Sequence, residues 1–317
     1  MEETQIKQIT PETLEEAADL LRRGKLVAFP TETVYGLGAD ACSDDAVAGT
    51  FQAKGRPQFN PLIAHIADIS WVDSFAVFSP AARKLAEAFW PAPVTLVMER
   101  KEDCPISLLV SAGLDSVAVR YPSHAGARAM ISAFGKPVSA PSANPSGTVS
   151  PTTAEHVFQG LRGRVPLILD GGPCPVGVES TVLDARSDKP VLLRAGGLTV
   201  EEIVEKTGLD ILFPDKDPAL PRSPGQLSSH YAPRLPVRLN AVAPEEGEAF
   251  LGFGAVENAT LNLSERGDLR EAAAHLFAYM RLLDKPCYSG IAVAPVPTNG
   301  LGLAINDRLK RAAYPRP

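Results

Sequence analysis

The sequence has 317 residues, 45% of them hydrophobic and 21% charged, with a formal net charge of −6. This length suits two domains with sizeable cores, and the mild acidity argues against a chain built as a whole to coat nucleic acid, while leaving room for a local basic groove. The 25 glycines and 29 prolines show no repeating period, so they point to turns and loops and exclude collagen-like order.

Met1-Glu2-Glu3-Thr4 lacks the basic-then-apolar order of a secretory signal, and no run of about 18 apolar residues occurs. No membrane span is expected. Cys42, Cys104, Cys174 and Cys287 stand far apart, with no CxxC pair. They read as reduced thiols of a cytoplasmic protein and argue against a zinc ribbon.

In chain order, Pro11 to Arg23 is predicted as an amphipathic helix, with Thr10 as its N-cap and Gly24 as its stop. Lys25 to Phe29 is a buried strand, and the polar, then Gly-rich segment Pro30 to Gly38 is a loop. Asp44 to Lys54 is a helix ending at Gly55. Strands are predicted at 62–66, 94–99, 116–121, 167–169, 181–184 and 191–194, and helices at 80–89, 125–134, 153–161 and 200–207. This mixture describes an α/β domain over residues 1–208. Residues 209–236 hold six prolines and little apolar period, which reads as a linker. The pattern resumes over 237–317 with strands at 251–253, 259–263 and 290–294 and helices at 268–283 and 303–313. That order suggests a small, parallel, Rossmann-like domain, although it has no G-x-G-x-x-G loop.

Four segments could carry chemistry. Lys54-Gly55-Arg56-Pro57, with Asn60, places two cations after a helix; they suit a polyphosphate or equally a helix C-terminal cap. No Walker A loop is present. Thr31-Glu32-Thr33-Val34-Tyr35-Gly36 puts hydroxyls at a strand end, where open α/β sheets bind small ligands; a Thr-rich turn with Tyr35 packed inward is the other reading. Ser139 to Gly147, with Ser150 and Thr152, exposes backbone N–H groups beside hydroxyls and an amide, and lacks the G-x-S-x-G of a serine hydrolase. Gly177 to Asp184 and Leu193-Arg194 gain interest only together with the others. His65 on its strand fits a core histidine as well as a ligand. The five histidines show no metal-ligand spacing.

Taken in order, these segments resemble the YrdC-like family in its longer, two-domain form. The matching pieces are Phe29 to Leu37, Ala53 to Pro57 with Asn60-Pro61-Leu62-Ile63, Ala140 to Asn144 with Ser150-Pro151-Thr152, Val178 to Val182, and Arg194. Ser223-Pro224-Gly225, His230-Tyr231-Ala232-Pro233, Gly300 to Ile305 and Asp307-Arg308-Leu309 extend the likeness over nearly the whole chain. The resemblance implies an α/β fold: a twisted mixed sheet with a large concave, positively charged cleft, plus the smaller C-terminal domain. It implies synthesis of threonylcarbamoyl-AMP from L-threonine, bicarbonate and ATP, for modification of the tRNA adenosine beside the anticodon. Thr33, His65, Arg120, Ala140 and Ser180 would hold L-threonine. Lys54, Arg56, Asn60, Ser116, Ser142, Asn144, Ser150, Arg194 and Tyr231 would hold ATP, with Lys54 and Arg56 acting catalytically on the phosphates. Mg²⁺ would travel with ATP and not in a protein cage. Contact with tRNA and with a downstream threonylcarbamoyl transferase is implied as well.

Three departures stand out: Gln58-Phe59 where the family has Ser-Asp, Gln226-Leu227-Ser228-Ser229 where it has basic residues, and Ala195 in the Arg-Pro-Gly turn. Two other readings stay open. A basic concave cleft could hold RNA, a reading that the acidic net charge and the sparse aromatic content, 6%, weaken. A carbamoyltransferase of the hydrogenase-maturation kind would be expected to bring zinc-finger CxxC pairs.

Overall fold

A computed structural model describes residues 3–56, 60–214 and 230–315. The Ser223–Gly225 motif and the Gln58-Phe59 and Gln226–Ser229 departures lie outside the described residues.

The first domain runs β1 (Gln5–Gln8), α1 (Pro11–Arg22), β2 (Val27–Phe29), β3 (Gly36–Asp40), α2 (Asp44–Lys54), β4 (Ile63–His65), β5 (Ala76–Val77), α3 (Pro80–Phe89) and β6 (Val94–Arg100). It continues with β7 (Ser116–Arg120), α4 (Ala125–Phe134), β8 (Val138–Ser139), α5 (Ala154–Leu161), β9 (Leu167–Asp170), β10 (Thr181–Asp184), β11 (Val191–Arg194) and α6 (Val200–Thr207). Helix ends follow local chemistry. Thr10 closes a capping box on α1, Ser43 caps α2, and Gly55 ends α2 at φ 62°.

The strands form one mixed sheet in the order β1-β9-β2-β3-β8-β4-β7-β6-β10-β11, with β5 on β6. Parallel pairs (β1–β9, β2–β9, β4–β7, β6–β10) are mixed with antiparallel ones (β2–β3, β3–β8, β4–β8, β6–β7, β10–β11). The period of two then sorts side chains between faces. Leu62, Ala64 and Ile66, Val117 and Val119, and Leu96 and Met98 face a helix-covered core. Ile63, Val97, Ala118 and Val182 form a small separate cluster on the opposite face. His65 and Arg120 fall on that second face, and the register places His65 beside Arg120 and Arg120 beside Thr95.

The second domain is β12 (Val237–Arg238), β13 (Glu248–Gly252), β14 (Leu261–Asn262), α7 (Leu269–Leu283), β15 (Gly290–Val293) and α8 (Leu301–Ala312). Its sheet, ordered β12-β15-β13-β14, is parallel throughout. It is not merely tethered: Val34, Val149 and Val178 of the first domain share one apolar cluster with α7, α8 and Tyr231. The chain also stays with the first domain beyond residue 208, since Leu212 bridges to Val191.

Candidate active site

A cavity of about 510 Å³, counted out to its open mouth, lies on the second face of the large sheet. His65 and Arg120 reach it from the ends of β4 and β7. Ser180 reaches it from the residue before β10, Arg194 from the end of β11, and Arg56 from just beyond the α2 cap. Ala140 and Ser142 enter from the loop after β8, and Tyr231 enters from the segment preceding the second domain. Eight of the predicted residues therefore meet in one space, although their segments are up to 175 positions apart (56 to 231).

One side of the cavity is a hydroxyl and imidazole wall. The Ser180 and Thr95 hydroxyls lie 2.8 Å apart. His65 is buried, with Nδ1 3.1 Å from the Ile63 carbonyl, and burial, reinforced by Arg120, pushes its pKa down to about 3. It is therefore a neutral imidazole at physiological pH. Arg120 donates from Nη2 to the Glu32 carboxylate at 2.7 Å, both groups being buried, while its Nε has no partner among the described residues.

A second set of lining residues is cationic. Arg56 donates to the carbonyls of Asn60 and Pro61, and Arg194 donates to the Ser180 carbonyl and hydroxyl. Burial pulls the Arg56 pKa down to about 10 and lowers that of Arg194. Such desolvated guanidiniums fit an anionic ligand that would restore their charge balance. Tyr231 closes this side. Its φ of 61° is unusual for a bulky residue. Stacking on Phe277 of α7, at 5.4 Å between ring centres, holds it there.

The remaining predicted residues stand behind the cavity wall. The Lys54 ammonium donates to the carbonyls of Ser142 and Asn144, so it clasps the loop after β8 instead of lining the cavity. Burial, with Arg56 close by, pushes its pKa well below the usual lysine range. The Thr33 hydroxyl is bonded to that of Thr31, and Thr31 is the one that lines the cavity. The Ser150 hydroxyl donates to Glu179 at 2.6 Å. Asn144 donates to the Pro145 and Thr148 carbonyls. Asn60 is buried, and neither of its amide atoms has a partner among the described residues. Ser116 shares the face of Arg120 at the far end of β7, outside the lining.

Sequence reasoning gave no role to Glu32, Glu179, His230 or Arg308. Glu179 lines the cavity and pairs with Arg308 of α8 at 3.0 Å. Burial would raise the Glu179 pKa, but Arg308, Arg194 and Ser150 outweigh it and hold the carboxyl below its usual range. A usable signal existed. Leu301, Ala304, Ile305, Arg308 and Leu309 form one helical stripe, and an arginine in an apolar stripe needs a buried anion. Among the described residues no cluster of three or more His, Cys, Asp or Glu side chains could hold a metal ion. Glu32 and Glu179 are already engaged by arginines.

Residues 19–196 match the family described as Telomere recombination, whose model spans Sua5, YciO and YrdC, and residues 198–314 match Threonylcarbamoyl-AMP synthase, C-terminal domain. The chain is similar to the threonylcarbamoyl-AMP synthase of Bacillus subtilis, at 43% identity over 94% of this chain and 92% of that protein. It is also similar to the enzyme of the same name from Pyrococcus abyssi, at 41% identity over 94% of this chain and 93% of that protein. The crystal structure of P. abyssi Sua5 complexed with L-threonine superposes with a TM-score of 0.89, at 38% identity over 99% of this chain and 97% of the other. A structure of that protein with a His and a Tyr replaced by Ala gives the same TM-score, 0.89, at 36% identity, covering 99% of this chain and 96% of that one. With both domains matched in order along one chain, the protein belongs to the Sua5/YciO/YrdC family, in the form that carries the threonylcarbamoyl-AMP synthase C-terminal domain.

Proposed function

We propose that this chain is an L-threonylcarbamoyladenylate synthase, a nucleotidyltransferase that joins L-threonine, bicarbonate and ATP. One observation carries the reading: a single cavity gathers hydroxyl, imidazole and arginine side chains (Thr31, Ser180, His65, Arg120) together with two further buried guanidiniums, Arg56 and Arg194. The first set suits a small amino acid and the second a nucleotide. Relatives matched over nearly their whole length bear the name of this activity, and one was crystallised with L-threonine.

The threonine amine adds to bicarbonate, giving a carbamate and water. A carbamate oxygen then attacks the α-phosphorus of ATP, forming the mixed anhydride and expelling pyrophosphate. Arg120, oriented by Glu32 and with no partner for its Nε among the described residues, suits the threonine carboxylate. His65 stays neutral and adds no competing charge. Arg56 and Arg194 stabilise charge as it builds on the leaving phosphates. Lys54 acts one step removed, by fixing the Ser142–Asn144 loop, and Thr33 acts through the Thr31 hydroxyl. Asn60, whose amide atoms have no partner among the described residues, and Tyr231, which closes the cavity, complete the nucleotide side. Mg²⁺ arrives as part of the ATP substrate. The product serves tRNA modification through a separate transferase. Four cysteines without disulfides suit a cytoplasmic setting, and no helix of the described residues is long and apolar enough to cross a membrane.

The test is pyrophosphate release with ATP, bicarbonate and each amino acid in turn. L-Threonine alone gives strong turnover, and Arg56→Ala lowers kcat on the order of 100-fold. Turnover indifferent to the amino acid, or unchanged in Arg56→Ala, contradicts the reading.

A further inference from the structure

Arg308 lies on α8, in the second domain, yet its side chain is completely buried against the active site of the first. Its Nε donates to Glu179 at 3.0 Å, and Nη1 donates to the Ala195 carbonyl at 2.7 Å and to Asp307 at 2.9 Å. Its guanidinium carbon sits 5.5 Å from the centre of the Tyr231 ring. These partners are the parts that build the nucleotide wall. Glu179 precedes Ser180 and also accepts the Ser150 hydroxyl, and Ala195 follows Arg194. The Glu179–Ser180 and Ala195–Gly197 segments are held close to each other, because the Gly197 N–H donates to the Glu179 carbonyl at 2.9 Å. A β-carbon on Gly196 would fall on the Glu179–Thr181 backbone.

We propose that Arg308 is a positioning residue: through its fork onto Glu179 and Ala195 and its contact with Tyr231, the C-terminal domain sets the placement of Arg194 and Tyr231 and so assembles the nucleotide side of the cavity. The inference rests on the proposed synthase activity. A buried ion pair is a poor stabiliser compared with packed apolar side chains, so this pair is better explained by the specificity of its geometry than by fold stability. A planar guanidinium holds its donors in a fixed fork, whereas the three donors of an ammonium rotate on a flexible stem and set a less defined geometry.

The groups facing Glu179 are Arg308 of α8, Arg194 of β11, the Ser150 hydroxyl, and His230 and Tyr231 of the incoming segment. Of these, Arg308 is foremost in keeping the carboxyl ionised against its burial. Without Arg308 the carboxyl titrates at higher pH. The wall is then correctly charged only above that raised value, and activity is lost as pH falls through it.

The experiment uses full-length protein and compares wild type with Arg308→Met, Arg308→Lys and Arg308→Met/Glu179→Gln, following threonine-dependent pyrophosphate release from pH 5.5 to 9. Thermal unfolding of each variant is followed in parallel. Wild-type turnover tests the functional reading itself, and the variants test Arg308. In Arg308→Met, kcat/KM for ATP is expected to fall on the order of 100-fold, while KM for L-threonine changes little. The acid limb of its pH profile moves up. Arg308→Lys restores that limb but only part of the rate, because it supplies charge without the fork. The double variant loses the shifted limb. Wild-type ATP kinetics in folded Arg308→Met overturn the proposal. So does a pH-independent loss that Arg308→Lys leaves unrepaired and that tracks the fall in melting temperature alone, because that is the pattern of a merely structural residue.

Discussion

His65, His156 and His230 are held neutral in the folded chain, chiefly by burial, at pKa values of about 3, about 4 and about 3. Each is depressed below its value in the unfolded chain. Their contribution to stability is therefore complete above the unfolded value and is lost as pH falls from there toward the folded one. Between pH 6 and pH 4.5 each costs about 1.4 kcal/mol per pH unit. His156 lies outside the cavity lining, so His156→Gln is expected to flatten the slope of unfolding free energy against pH by about one proton in this window. Denaturant titrations at several pH values measure it, and an unchanged slope would contradict the burial argument. At this scale the sequence identified the polar residue types of the site but not their ranks. Thr31 and Thr33 are indistinguishable in a Thr-rich loop until the backbone turns one hydroxyl outward. Lys54 reads as a phosphate ligand until its carbonyl partners, some 90 positions away, are known.

The helices were legible because their signals are local. Caps and apolar stripes at 11–22, 44–54, 80–89 and 125–134 stand in the sequence itself. Five strands were not, the two-residue Ala76–Val77 and Val237–Arg238 among them. Gln5–Gln8 is polar and has only β9 beside it. Val138–Ser139 is too short to carry a period. Gly36–Asp40 was predicted as a loop, because glycines are poor strand formers. Its glycines are explained by a long-range fact: a β-carbon on Gly38 would press on Val138 and the Phe29 ring. The same kind of close approach fixes the seam between the domains. A β-carbon on Gly177, at φ 76°, would strike the Ala273 and Ala274 backbone of α7, whereas Gly172, at φ 79°, faces open space. Gly172→Ala should therefore cost about 1–2 kcal/mol from backbone strain alone. Gly177→Ala adds an overpacking cost of about 1–3 kcal/mol. Equal losses in chemical denaturation would show that the seam is not closely packed.

For the whole molecule, the sequence established two α/β units and a parallel second sheet, and the ordered motifs carried the family. It did not show how the units meet. The predicted linker was expected to fold over the active site and left the role of the second domain open, whereas the apolar cluster of α7 and α8 runs into Val34, Val149 and Val178, and Arg308 reaches the cavity wall. The apolar stripe around Arg308 signals a buried anion but not which one, because Glu179 stands 129 positions away.

The most direct measurement of the central claim is product identity. Purified protein is incubated with ATP, L-threonine and ¹³C-bicarbonate, and the nucleotide products are analysed by mass spectrometry. The account predicts an AMP adduct carrying both the threonine mass and one ¹³C, formed in step with pyrophosphate. An adduct without ¹³C, or pyrophosphate release with AMP alone while any adduct is trapped as it forms, would contradict it.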